Sequence, residues 1–288
     1  METMEQVVLV GVTGPGENLA ALRFAADEAT RLGGDVCLVH AVHEIMPPPP
    51  SAALLSYAFL WEDVGNQIVS GSLKEFRSLY GDAVKATAVA RRGYPGHVFA
   101  ELSANARLVV LQHRDLSALH RIFTGSTAAG VAAHAHCPVT SVPAAWTPLD
   151  SPGRVTVGVH EGGVPEPVLA EAFAEASARG WSLRVVHAWR LDPAYDDIIT
   201  ARDPEWRSAG EAALTASLEQ MTDHHPGVPL EVEVRHQWPA DALVELSATS
   251  NLLVVGRHSH HAPAPQRLGS IARALLRSAK CPVMVVPV

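Results

Sequence analysis

Gly256, Gly269 and Ser270 bracket a loop whose side chains could do chemistry. Between them the chain reads "RHSHHAPAPQRL", with Arg257, His258, Ser259, His260, His261 and Arg267. Glycines let a backbone approach a phosphate without a Cβ clash, and a helix opening at Ser270 would offer unpaired N–H groups to an anion. The histidines suggest a second chemistry, because imidazole is a common metal ligand. A metal centre usually needs three or four converging ligands and a supporting shell, and this loop holds neither Cys nor an acidic residue. The loop is therefore expected to be a polar, solvated segment ending in a phosphate-type turn, with no metal site.

The elements that must position this loop occur twice. "VLVGVTG" is matched by "VTVGVHE", and "LVHAV" by "VVHAW", both at an offset of 147 residues. "YPGHVFAELSANARLVVL" is matched by "WPADALVELSATSNLLVV", and "TGSTAAGVAAHAHCPVTSVP" by "LGSIARALLRSAKCPVMVVP", at an offset of 144. Four blocks in one order imply two homologous domains, residues 1–145 and 153–288, joined by the Pro- and Gly-containing "WTPLDSPGR". Within each copy, apolar runs such as "QVVLVGV" suit strands covered on both faces. "ENLAALRFAADEATRLGG" places Leu19, Leu22, Ala26 and Ala29 at helical spacing before a glycine stop. Pro95 and Pro239 sit where helices should start. Helices are also expected up to Gly81, over about 203–224, and from Ser126 and Ser270. Strand and helix alternate five times per copy. The fold class is α/β: two tandem doubly wound, Rossmann-like domains, each a five-stranded parallel sheet flanked by helices.

The paired "GS"–helix–"CPV…VP" blocks and the spacing before them resemble the universal stress protein family in its tandem two-domain form, over nearly the whole chain. The family's nucleotide loop reads G-x2-G-x9-G-[ST]. In nucleotide-binding members an Asp after the first strand and backbone after the second hold adenine, while the glycine loop and Ser/Thr hold ribose and phosphates. The resemblance thus implies adenine-nucleotide binding, ATP or a relative, at Gly256, Arg257, His258, Ser259, Arg267, Gly269, Ser270, His160 and Ala188 in the second copy. It implies Gly125 and Ser126 in the first. The second copy keeps Gly256 and Gly269-Ser270 but has Ser259 at the middle glycine; the first keeps Gly125-Ser126 but has Gln112 and Asp115 at the earlier glycines. The adenine-side acid is replaced by Thr13 and by His160, and the residues after the second-strand histidines are Ala41 and Ala188. The expected protein is a stress-response binding protein whose ATP pocket is degenerate in the first domain and partial in the second. Two alternatives stay open: a nucleotide-independent dimerisation or partner-binding module with vestigial pockets, and a slow ATPase or metal-using hydrolase.

Other candidates have plainer readings. His40 and His187 suit histidines that fix strand ends by hydrogen bonding, and no Ser or Cys nucleophile with an orienting acid accompanies them. No catalytic residue is expected, so the chain is not read as an enzyme. Cys137 and Cys281, each before a proline, read as small buried hydrophobes. The last strands of the two copies are candidate pairing edges, for a homodimer or a pseudo-dimer within the chain. "MPPPPSAALLSYAFLW", with Tyr57, Phe59 and Trp61, suits a packed helix after a stiff loop better than a cover. The 288 residues are 48% apolar and 18% charged, with a net charge of −8. That is a globular composition. It makes nucleic acid or an anionic membrane unlikely as a general partner. No apolar run nears the roughly 18 residues of a membrane span. "METMEQVVLVGV" lacks a basic leader, and three cysteines without CxxC spacing suit a reduced, cytoplasmic protein.

Overall fold

The computed structural model describes residues 6–43, 54–113, 127–149, 152–160, 165–191, 196, 205–257 and 268–288, with side chains omitted for 54–60. The chain divides into two compact units, Met1–Trp146 and Thr147–Val288. The first unit runs β1 (Val8–Gly11), α1 (Leu19–Leu32), β2 (Val36–Val42), α2 (Leu54–Tyr80), β3 (Ala86–Arg92), α3 (Pro95–Ser103), β4 (Leu108–His113), α4 (Thr127–His134) and β5 (Val139–Pro143). The second runs β6 (Arg154–Val159), α5 (Glu166–Arg179), β7 (Ser182–Trp189), α6 (Trp206–His224), β8 (Leu230–His236), α7 (Pro239–Leu246), β9 (Leu252–Gly256), α8 (Ser270–Ser278) and β10 (Val283–Val286).

Strand order is β3-β2-β1-β4-β5 in the first unit and β8-β7-β6-β9-β10 in the second. The pairs within the units are parallel. In each order the chain winds outward from the first strand and then reverses to the other side. That makes each unit a doubly wound five-stranded sheet, with its switch point between β1 and β4 or between β6 and β9.

The sequence pattern accounts for these elements. Val8, Val10, Val109, Val110, Leu252, Leu253 and Val254 are fully or almost fully buried, as central parallel strands require. Helix α1 buries Leu22, Phe24, Ala25, Ala26 and Ala29. Leu19, at its first turn, is instead 49% exposed, because the buried stripe of α1 starts one residue later, at Ala20. Helices α1 and α5 both end on a left-handed glycine, Gly33 at φ 62° and Gly180 at φ 63°. There the absent Cβ removes the strain of that conformation. Pro95 and Pro239 are the first residues of α3 and α7, where a missing N–H costs no helical hydrogen bond.

The repeated glycine of "VGV" has a packing role. A Cβ on Gly11 would lie 2.4 Å from Leu111 Cδ2, and one on Gly158 would lie 2.7 Å from Leu243 Cδ1. Both glycines let neighbouring apolar side chains close over the central strand.

Candidate functional site

Open parallel sheets bind ligands at the carboxyl ends of their strands near the switch point. In the second unit that place is built by Gly256, the last residue of β9, and Gly269, which precedes α8. The Arg257 N–H donates to the Val286 carbonyl, and the Gly269 N–H donates to the Arg257 carbonyl, both at 2.9 Å. This second bond draws the two ends of the loop together, so Gly256-Arg257 and Gly269-Ser270 stand side by side. Ser270 is exposed, and among the described residues no side chain caps α8. The first N–H groups of a helix have no intrahelical acceptor, so the start of α8 is a positive dipole end with donors suited to an anion. Arg273, one turn further on, is exposed. His160, directly after β6, is exposed, and Ala188 is buried near the end of β7. His258, Ser259 and Arg267 lie outside the described residues, as do His260 and His261. Among the described residues no three His, Cys, Asp or Glu side chains converge to hold a metal ion.

The first unit uses the same place differently. Gln112, which stands where the second copy has Gly256, turns its carboxamide onto the start of α1. Its Oε1 accepts from the N–H groups of Ala20 at 3.0 Å and Ala21 at 3.2 Å, and its Nε2 donates to the Glu17 carbonyl at 2.7 Å. Thr13, at the adenine-side position, donates from its N–H at 2.8 Å and its hydroxyl at 3.1 Å to Asn18 Oδ1. The Gly16 N–H donates to both carboxylate oxygens of Glu75 on α2, at 2.9 and 3.1 Å. Helix α2 reaches this loop because Gly71 is small: a Cβ there would lie 2.8 Å from Pro15 Cγ. The carboxyl ends of β1 and β4 are thus occupied by the unit's own polar side chains, one of them a carboxylate. Gly125 and Ser126 lie outside the described residues.

His40 and His187 make the same tie in both units. His40 Nδ1 is 2.8 Å from the Val12 carbonyl, and His187 Nδ1 is 3.4 Å from the Val159 carbonyl. A carbonyl can only accept, so the proton sits on Nδ1, and each ring fastens the second strand to the end of the first. Cys137 and Cys281 are buried. Burial pushes the Cys281 thiol up to about 12, which removes thiolate reactivity near neutral pH.

A cluster that no sequence motif announced lies at the carboxyl ends of β7 and β8. Asp196 is 2% exposed. It accepts from His236 Nε2 at 2.7 Å and from the Leu191 N–H at 3.1 Å, with Arg190 Nε at 3.3 Å. Burial alone would raise its pKa. The His236 and Leu191 hydrogen bonds and the charges of His236 and Arg190 outweigh it and hold the carboxyl below its ordinary value. Trp189 and Trp206 meet edge to face at 5.1 Å, and the His236 ring is 4.7 Å from Trp189 and 5.7 Å from Trp206. The only sequence hint was Trp189 directly after "VVHA". Asp196 and His236 are 40 residues apart, so no local spacing links them.

Two doubly wound α/β units, each a five-stranded parallel sheet, define a tandem Rossmann-like fold. The family model of the universal stress protein family matches the chain twice, over residues 4–143 and 152–287. A universal stress protein of Mycobacterium tuberculosis is 31% identical over 283 residues, covering 96% of both chains. Another, from Mycolicibacterium smegmatis, is 28% identical over 286 residues, covering 98% of this chain and 97% of its own. Among solved structures, a universal stress protein from Archaeoglobus fulgidus superposes with a TM-score of 0.73 at 18% identity, over 99% of this chain and 97% of that one. The chain belongs to the universal stress protein family, as a tandem two-domain member.

Proposed function

We propose that this protein is a stress-response binding protein that takes one adenine nucleotide per chain, in the second unit, and acts by binding rather than turnover. The observation that carries this reading is the contrast at one position. Gly256 leaves the end of β9 without a side chain beside the uncapped start of α8, whereas Gln112 fills the equivalent place. The donor set of the second unit fits an anion. The backbone of Gly256, Arg257, Gly269 and Ser270 would hold phosphates and ribose, with the charge of Arg257 beside them. His160 and the backbone at Ala188 would line the base side. The first unit does not fit. Its loop carries Asp115 at a glycine position of the family pattern, and two like charges 4 Å apart repel by about 1 kcal/mol even in bulk water.

Isothermal titration of the purified chain with ATP, ADP and cyclic AMP tests this. One site is expected, abolished by Gly269→Asp and unchanged by Gly125→Asp; the opposite pattern overturns the assignment. A phosphate-release assay on the ATP-saturated chain should stay at the blank rate, and metal-dependent release lost on replacing His258, His260 and His261 by Ala would make it a hydrolase instead.

A second reading is favoured by the self-filled cleft of the first unit: that unit is an interaction module whose pocket is vestigial. It goes with a cytoplasmic protein that forms a homodimer. Sedimentation equilibrium should then give a mass of two chains, and a single-chain mass would reject the dimer.

A further inference from the structure

The second unit differs from the first at the ends of its two outer strands as well as at its loop. In the first unit the paired end residues are Val42 and Arg92, and Arg92 pairs with Glu62 at 3.8 Å, with both side chains about half exposed. In the second unit the paired end residues are Trp189 and His236. They lie against Trp206 and are joined to the buried carboxylate of Asp196. A buried carboxylate is costly unless its partners are all in place. The four groups therefore favour a single arrangement of Leu191, Asp196, the end of β8 and the first residue of α6. Ala188, which the nucleotide reading puts on the base side of the cleft, immediately precedes Trp189 on the same strand.

We infer that Asp196 and His236 are positioning residues of the second unit's cleft: their hydrogen bond, backed by Trp189 and Trp206, fixes the end of β7 in the place needed to bind an adenine nucleotide. This rests on the nucleotide reading above. The device occurs in the unit that keeps Gly256 and the uncapped α8. The corresponding ends of β2 and β3 in the self-filled unit carry a surface ion pair, of a kind worth little, and a ring contact of His43 with Tyr94 at 5.7 Å.

The test is ATP titration of the full chain and of three variants, with thermal unfolding measured on each. His236→Phe keeps an aromatic ring against Trp189 but removes the donor to Asp196. His236→Gln restores a donor without the ring. Arg92→Ala removes the first unit's surface pair. His236→Phe is expected to weaken ATP binding roughly tenfold, within the range of couplings between a positioning element and a ligand. His236→Gln should recover most of that loss, and Arg92→Ala should change nothing. His236→Phe should also alter the tryptophan emission spectrum, and His236→Gln should move it back toward that of the parent chain. ATP binding by His236→Phe equal to the parent chain overturns the inference alone. Equal losses in His236→Phe and His236→Gln also overturn it, because a merely structural histidine predicts them. No ATP binding by the parent chain overturns the nucleotide reading and this inference together.

Discussion

The two clefts of this chain have one backbone plan and opposite contents. At the carboxyl ends of β1 and β4, Asn18, Gln112 and Glu75 satisfy the loop N–H groups and the first N–H groups of α1. At the carboxyl ends of β6 and β9, Gly256 supplies no side chain and, among the described residues, no side chain caps α8. A donor already bonded to its own chain offers nothing to a phosphate, and a donor facing solvent exchanges water for an anion at little cost. Under the proposed nucleotide reading, duplicated domains divide labour through a few side chains, one cleft filled by its own polar groups and the other taking the ligand.

The strongest way to break this contrast is to copy one cleft into the other. Gly256→Gln places the first unit's side chain in the second unit. We expect ATP affinity to fall about thirtyfold or more, since overpacking a filled site costs roughly 1–3 kcal/mol and each 1.4 kcal/mol is a factor of ten. Isothermal titration reads it directly, and unchanged affinity would place the ligand elsewhere.

A next test asks what the two units share. Gly11→Ala and Gly158→Ala should each destabilise by about 1–3 kcal/mol, because the added Cβ meets Leu111 at 2.4 Å or Leu243 at 2.7 Å. Urea unfolding of each variant checks this, and the tighter contact at Gly11 should give the larger effect. Gln112→Ala should cost less, about 1 kcal/mol, because water can reach the N–H groups of Ala20 and Ala21 once the carboxamide is gone. It should leave ATP binding unchanged. A gain of a second ATP site in this variant would mean that Gln112 alone closes the first unit.

The sequence made the doubly wound parallel class and the repeat legible, because buried parallel strands leave continuous apolar runs and duplicated packing leaves duplicated glycines and prolines. It also marked Gly256 and Gly269-Ser270 through the spacing of the loop. It did not reveal how the first cleft is filled. Gln112 acts on Ala20, Ala21 and Glu17, more than 90 residues away, and such a bond has no local signature. Glu75 acts through the close approach of α2 that Gly71 permits, which helical periodicity alone does not announce. Asp196 and His236 were missed for the same reason: their meaning arises only when β7 and β8 pair.

The smallest expected difference between the units is confined to acid. Asp196 has its pKa lowered in the folded chain, so the folded state favours its ionised form. A lowered carboxyl contributes stability that is present above its unfolded value, about 3.9, and is lost as pH falls through the folded value. Thermal unfolding of the parent chain and of Asp196→Asn, followed by tryptophan emission, should therefore differ above about pH 4 and converge below it. If Asp196→Asn runs parallel to the parent chain across that window, the hydrogen bond from His236 adds nothing to the ionised form, and the two units differ only at their loops.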